Sequence, residues 1–295
     1  MQLTFASAPV PQIPKLGSGL GYRHELKDVI LDSRHAIDFV EIITEQFIGD
    51  TDQIRELEQV CDVFPVIPHG IGLSIGSQTL DDEYLKHIKR VSDVTGSPYY
   101  SEHLAMTRAP GIDIGHLSPL WFVGPVLRAT VDNVLRVQDF LKKPIILENV
   151  TYLLAVPDAE MSQAEFFARL VERTGCGVLL DITNVYINSV NHHFDPVAFI
   201  KEMPLDRIVQ IHLAGGHMHN GLMIDAHSEP VDEGSWSVLE ALMALTEVKG
   251  CILEHDANFP SDISVLLDQV ARARMITSRC LRDIGESDNE DMRRR

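Results

Sequence analysis

The sequence predicts an α/β protein built as one closed (β/α)8 barrel, and three observations predict it. Short apolar runs alternate with longer amphipathic stretches, the pattern of repeated βα units on a parallel sheet. About eight such pairs follow one another, the number that closes a barrel. The chain has 295 residues, an ordinary length for one barrel and its insertions.

The strand-like runs are Leu16 to Tyr22, Phe39 to Ile43, Val66 to His69, Tyr99 to His103, Ile145 to Glu148, Val178 to Asp181, Ile208 to Leu213 and Cys251 to His255. The helix-like segments between and after them cover 24–36, 52–62, 81–95, 123–141, 162–174, 195–203, 235–247 and 260–284. Several open on start signals: Thr51 with Asp52, Asp81 with Asp82, Ser162 ahead of Glu165, and Asp195 followed by Pro196 at the first helical position. Two longer connections, 104–122 and 213–234, follow the fourth and seventh runs. Loops after barrel strands lie on the catalytic face, so these two are expected to cover the mouth. Residues 1–15 read as an extended N-terminal segment, 16–284 as the barrel domain, and 285–295 as a flexible charged tail.

Composition restricts the function classes. Hydrophobic residues make up 45% and charged residues 23%, enough apolar surface for a substantial core. The formal net charge of −18 repels polyphosphate, so sequence-independent nucleic-acid binding is disfavoured. The same excess of carboxylates is compatible with bound cations. No apolar stretch is long enough for a membrane span, and no secretion signal opens the chain. Cys61, Cys176, Cys251 and Cys280 lie far apart without a CxxC pair, which fits reduced thiols in a cytoplasm.

The chemistry is carried by what ends the strands. His69 closes FPVIPH, His103 closes YYSEH, Glu148 closes PIILE, Asp181 closes GVLLD, His212 closes IVQIH and Glu254 closes GCILE. The C-terminal ends of parallel barrel strands converge, so these side chains become neighbours however distant in sequence. Asp225 and His227, alternating in IDAH, add two more candidates from the loop after His212. A lone His or Asp at a strand end is most often a satisfied structural group or a helix cap. So many ionisable groups buried together are not explained by packing, because each costs several kcal/mol unless paired or metallated. Mixed nitrogen and oxygen donors without Cys suit Fe, Mn or Zn in a reactive site rather than a structural zinc. Two or three ions match the number of ligands, with Glu148 placed to bridge two of them. Asn149 and Asn184 are candidates to orient ligands, bind substrate or complete a coordination sphere. Glu148, Asp181 and Asn184 are the candidates for catalytic roles. Glu41 and Glu45 flank the second strand's end, facing either the mouth or a solvated rim. His217 and His219 lie between His212 and Asp225 as candidates to support the ligands, whereas His116, His192 and His193 fall in loops where exposure is the default.

These residues and their surroundings, PHGIGLSIG, YYSEHLA, ILENVTYLL, LLDITNVYINSVNH, IHLAGGHMHNGLMIDAHSEPV and ILEHDANFP, resemble the multinuclear non-haem iron-dependent oxidative enzymes. That is a TIM-barrel family that modifies ribosomally made peptides and includes the enzyme that makes methanobactin. The resemblance runs from about Gly17 to Arg274. It implies that His69, His103 and Glu148 hold one iron, and that Glu148 bridges to a second iron bound also by Asp181, His212 and Glu254. Asp225 and His227, with Asn184, are implied for a third. It further implies a mixed Fe(II)/Fe(III) centre, O2 as co-substrate, a Cys of a precursor peptide as the group oxidised, and a partner protein that delivers the peptide. The xylose isomerase and endonuclease IV group is a second likeness by architecture, implying a divalent-metal isomerase or hydrolase. Its endonucleases carry D-x-x-H where this chain has Asp181-Ile-Thr-Asn184, which removes a ligand from a three-zinc site. A protein that only stores or senses metal is a third reading, disfavoured because long loops over a full ligand set serve chemistry.

Overall fold

The computed structural model describes residues 13–49, 51–109 and 111–293, with side chains through residue 278. The chain opens the barrel with β1 (Gly17–Gly21), the short α1 (Lys27–Asp32), β2 (Val40–Ile43), α2 (Thr51–Cys61), β3 (Val66–Gly70), α3 (Asp82–Thr95) and β4 (Tyr100–His103). A hairpin of β5 (Ala105–Ala109) and β6 (Ile112–Pro119) follows, then α4 (Gly124–Leu141), β7 (Ile145–Glu148), α5 (Gln163–Thr174) and β8 (Gly177–Asp181). The rest is α6 (Ile182–His192), α7 (Pro196–Glu202), β9 (Ile208–Leu213), a hairpin of β10 (Gly216–His219) and β11 (Leu222–Asp225), α8 (Glu233–Met243), β12 (Gly250–Leu253) and α9 (Ser264–Arg293).

Eight strands close a parallel barrel in the order β1-β12-β9-β8-β7-β4-β3-β2, as the alternation of apolar runs and amphipathic segments predicts. The expected caps form: Asp81 accepts from the amides of Glu83 and Tyr84, Ser162 from Glu165, and Asp195 from Val197. The amphipathic helices, among them α2, α3 and α5, lay their apolar stripes on the outer face of the sheet, where the larger core cluster lies.

Inside the barrel the floor is apolar. Phe39, Ile67, Tyr99, Ile146, Leu179, Val209 and Ile252 meet there, with Ile13 and Leu16 packed beneath them. Strand side chains alternate in direction, so the residue two positions further on points inward one layer higher. That rule lifts Glu41, His69, Ser101, Glu148, Asp181 and Glu254 above the floor together. On β9 the register slips by one residue between Val178 and Leu179, whose partners are Ile208 and Gln210. This bulge leaves Val209 in the floor and turns both Gln210 and His212 inward, each fully buried.

Four differences from the sequence reading have physical causes. The connections 104–122 and 213–234 contain antiparallel hairpins rather than irregular loops. The second turns at Asn220 and Gly221, with φ of 50° and 83°, the Asn-Gly turn that matches strand twist. Helix α6 occupies 182–192, where no helix was expected, because it is buried over most of its surface and lacks an amphipathic pattern. The last helix runs on through Arg293 past residue 284, since no proline interrupts it and a single Gly285 costs only about 1 kcal/mol. Residues 1–12 of the expected N-terminal segment, and 294–295 at the other end, lie outside the described residues. Among the described residues, no helix is long and apolar enough to cross a membrane.

Candidate metal centre

Register brings the strand ends together. His103 is level with Glu148 across β4 and β7, and Asp181 is level with His212 across β8 and β9. Two groups result whose ligand atoms lie within 4.8 Å of one another: His69, His103 and Glu148; and Glu148, Asp181, His212 and Glu254. Glu148 belongs to both. Its Oε2 lies 3.1 Å from His69 Nε2 and 3.3 Å from His103 Nε2, while its Oε1 lies 3.3 Å from His212 Nδ1. Glu254 Oε2 reaches the same Nδ1 at 3.1 Å.

Each imidazole is held by its other nitrogen. His69 Nδ1 meets Ser101 Oγ at 2.9 Å, His103 Nδ1 donates to the Gly70 carbonyl at 2.9 Å, His212 Nε2 lies 2.8 Å from Glu41 Oε1, and His227 Nδ1 lies 2.9 Å from Asp256 Oδ2. Such partners select the tautomer and aim the remaining lone pair. His69, His103 and His227 therefore offer Nε2, and His212 offers Nδ1.

Asp181 divides its oxygens between two tasks. Oδ1 accepts from the Asn184 amide at 2.7 Å and caps α6, so the helix-cap role and the site role coexist. Asn149 clamps the Asp181 backbone, donating to its carbonyl at 3.0 Å and accepting from its amide at 2.9 Å. Asn184 Nδ2 donates to the Asn149 carbonyl at 3.0 Å, leaving Oδ1 for the cavity. Buried without a hydrogen-bond partner are Asp181 Oδ2, Glu148 Oε2, His212 Nδ1 and Asn184 Oδ1. Their close approaches to neighbouring ligand atoms lack hydrogen-bond geometry. Orphaned atoms of this kind are costly and call for an explanation. Cations between the two groups supply one, and the donor set of imidazole and carboxylate suits them.

The charges agree. Burial works against a charged His212, but Glu254, Glu41 and Glu148 outweigh it and hold its proton far above the imidazole range. His227 behaves alike through Glu254 and Asp225. His103 is pushed up to about 10, burial being overcome by Glu148 and Glu102. Burial and then the Glu148 and Asp225 charges push Asp181 well above the carboxylate range. Without a metal, protons stand where positive charge is needed, so metal loading at neutral pH is expected to release protons, measurable in weakly buffered solution. The sign for stability follows from His103. A folded pKa raised to about 10 stabilises fully below the unfolded value near 6.5 and is lost as pH rises toward about 10. Metal-free protein is therefore expected to melt at falling temperature between those limits, and metal-loaded protein to hold its melting temperature.

Asp225 and His227 meet at 2.9 Å between Oδ1 and Nε2, beside Asn184 in the same cavity. His227 takes φ 49°, and its carbonyl accepts from Asp256 and Ala257, which keeps this left-handed turn in place. The cavity measures about 220 Å³, and beside the ligands its lining includes Ile43, Ile71, Leu117, Val150 and Thr151 together with Arg23 and Asp256. His116 is exposed on β6, as its place in a connection suggests, and also lines the cavity. His217 and His219 are exposed on β10 and do not line the cavity, so they do not support the ligands. His192 stacks on Tyr152 at 4.3 Å and bonds its carbonyl, and His192→Ala is expected to leave metal content, read by elemental analysis, unchanged.

Sequence reasoning missed several supporting groups. Arg23 donates from Nε to Asp256 Oδ1 at 2.6 Å and holds the carboxylate that holds His227. Glu102, fully buried, accepts from the Leu73 and His103 amides. Of the two places left open for Glu41 and Glu45, Glu41 takes the inner one, buried against His212, whereas Glu45 accepts from the Ile71 and Gly72 amides and shapes the loop after His69. The signal for Glu41 was its place two residues after Phe39 on an inward-facing strand.

A parallel barrel with buried His and carboxylate groups converging at its strand ends defines a TIM-barrel protein with a candidate metal centre at the mouth. Residues 17–278 match the family described as RiPP precursor modification enzyme MbnB/TglH/ChrH, and the chain belongs to that family. It is 34% identical over 268 residues to a UPF0276 protein of Caulobacter vibrioides, covering 89% of this chain and 95% of the relative. A UPF0276 protein of Acinetobacter baylyi is 37% identical over 250 residues, covering 83% and 86%. Among solved structures, an L-ribulose 3-epimerase superposes with TM-score 0.56 at 16% identity, covering 95% of this chain and 97% of that one. A xylose isomerase domain protein from Planctomyces limnophilus does so with TM-score 0.56 at 12% identity, covering 90% and 99%. At such identities the structural likeness shows the fold alone.

Proposed function

We propose that the chain is a multinuclear iron-dependent oxidative enzyme that uses O2 to modify a residue, a Cys, of a ribosomally made precursor peptide. A partner protein delivers the peptide. The observation that carries the reading is one carboxylate, Glu148, shared by two ligand groups that differ in charge. His69 and His103 face it with a neutral hydroxyl and a backbone carbonyl as the acceptors behind their rings, and Asp181, His212 and Glu254 face it with two further carboxylates, and a third, Glu41, behind the ring. Two ions of unequal valence suit two such groups. His69, His103 and Glu148 would hold the first ion, Glu148, Asp181, His212 and Glu254 the second, and Asp225 and His227 with Asn184 a third.

Iron of both valences supplies, when bound, an anchor that lowers a thiol's pKa and the electrons for reducing O2. The chain's own residues do the rest. Ile43, Ile71, Leu117 and Val150 give the cavity an apolar side on which an uncharged side chain can pack, and Thr151 offers it a hydroxyl. Asn149 and the cap on α6 fix Asp181, and the histidine partners keep each ring from turning. The test is elemental analysis of protein made in iron-supplemented cells and purified without oxygen, with Mössbauer spectroscopy on the same sample. Two or three irons per chain in both valences would support the reading. Zinc or manganese that iron cannot displace would replace it with a divalent-metal isomerase or hydrolase. Asp181→Ala is expected to lose the second ion while His69 and His103 keep the first, seen as a drop by one ion per chain.

A further inference from the structure

Between the apolar floor and the ligands lies a polar layer that the metal groups do not use. Tyr99 enters it from the start of β4, Gln210 from β9 and Glu41 from β2, and all three are buried. Tyr99 Oη donates to Gln210 Oε1 in a short hydrogen bond. Gln210 Nε2 donates to Glu41 Oε2 at 2.5 Å. Glu41 Oε1 faces His212 Nε2 at 2.8 Å. The amide cannot be reversed without turning its oxygen against a carboxylate oxygen, so the chain has one direction: hydroxyl to amide, amide to carboxylate, and imidazole to the same carboxylate. Gln210 Nε2 and His212 Nε2 lie 3.0 Å apart because both donate to Glu41.

A layer of this kind is an expensive way to fill a barrel, since well-packed apolar residues there are often as stabilising or more so. What it accomplishes is visible at the other edge of the ring. With Nε2 carrying the proton, Nδ1 turns its lone pair between Glu148 and Glu254, 3.3 and 3.1 Å away. Between two carboxylates that nitrogen calls for a positive partner: a second proton when the site is empty, which a metal ion replaces on binding.

We propose that Glu41, Gln210 and Tyr99 are positioning residues for the second metal ion, selecting the His212 tautomer that makes Nδ1 its ligand. His69 and His103 take their tautomer from Ser101 and a backbone carbonyl instead, so the chain acts on the second ion and not on the first. The β9 bulge is part of the device, because it turns Gln210 and His212 inward above Val209. The assignment rests on the reading above only in requiring a metal ion at the site, of any element.

The test uses the full-length chain stripped of metal and titrated with Co(II) against a competing chelator, beside Glu41→Gln and Tyr99→Phe. Glu41→Gln keeps the shape but offers an amide that can donate to Nε2, which moves the ring proton to Nδ1. It is expected to weaken the second Co(II) by about 10–100-fold, the usual cost of removing an outer partner of a metal-bound His, with the first Co(II) unaffected. In Zn(II)-loaded protein carrying 15N-labelled histidine, the one ring coordinated through Nδ1 should vanish from the spectrum. Tyr99→Phe, the milder change, is expected to weaken the same ion by less than about tenfold, and it decides the matter if Glu41→Gln does not fold. Unchanged affinity for the second ion in a folded variant, or equal weakening of both ions, would overturn the assignment. A wild-type chain that binds no divalent ion would overturn it together with the metal centre. Zinc rather than iron in the natural protein would remove the oxidative reading and leave this one standing.

Discussion

Glu148→Ala is expected to yield a folded barrel that holds almost no metal and has activity at background. Other ligand substitutions are expected to remove one ion; this one removes the carboxylate common to both ligand groups, whose Oε2 faces His69 and His103 and whose Oε1 faces His212. The protons then remain on His103 and His212 with one carboxylate fewer beside them, so the charge that attracts a cation to both groups falls together. Elemental analysis alongside an activity assay with the precursor peptide and its partner reads the result. His103→Ala should also abolish activity but keep the second ion, and full activity in either metal-depleted variant would falsify the catalytic reading.

Trp236→Ala is expected to cost about 3–5 kcal/mol of stability, the range for truncating a large buried aromatic side chain. Trp236 is 2% exposed on α8, with the Arg272 guanidinium of α9 over its ring at 4.5 Å. Removing it opens a cavity where these two helices dock and takes away the ring beneath Arg272, which keeps its two hydrogen bonds to Glu233. The drop is read from the urea midpoint. Metal content per folded chain should be unchanged, because the indole lies in the outer core and the ligands lie inside the barrel.

The barrel and the convergence of its polar strand ends were legible because both follow from period-two and period-3.6 patterns within short windows. FPVIPH and GVLLD each announce a strand and name the group at its end. The supporting contacts were not legible in that way. Glu41 and Gln210 are 169 residues apart, and Arg23 and Asp256 are 233 apart, so even where alternation turns a residue such as Glu41 inward, nothing local names its partner. Which nitrogen of His212 faces the site depends on Glu41 and therefore on closure of the whole sheet. The hairpin at 216–225 is written locally, in the Asn220-Gly221 pair between two short extended runs. Helix α6 was hidden because a helix buried on most sides shows no polar stripe.

Asp181 ties the site to the architecture around it. One of its oxygens caps α6 and the other faces the ligand cluster, while at the far end of that helix Asn191 is bonded to both the amide and the carbonyl of Met223 in the β10–β11 hairpin. A cation that fixes the carboxylate therefore tightens the first turn of α6 and, through it, one wall of the entrance. Backbone amides in 182–186 and at Met223 should exchange with deuterium more slowly once the protein is loaded, so an empty enzyme and a charged one would present a peptide with entrances of different stiffness.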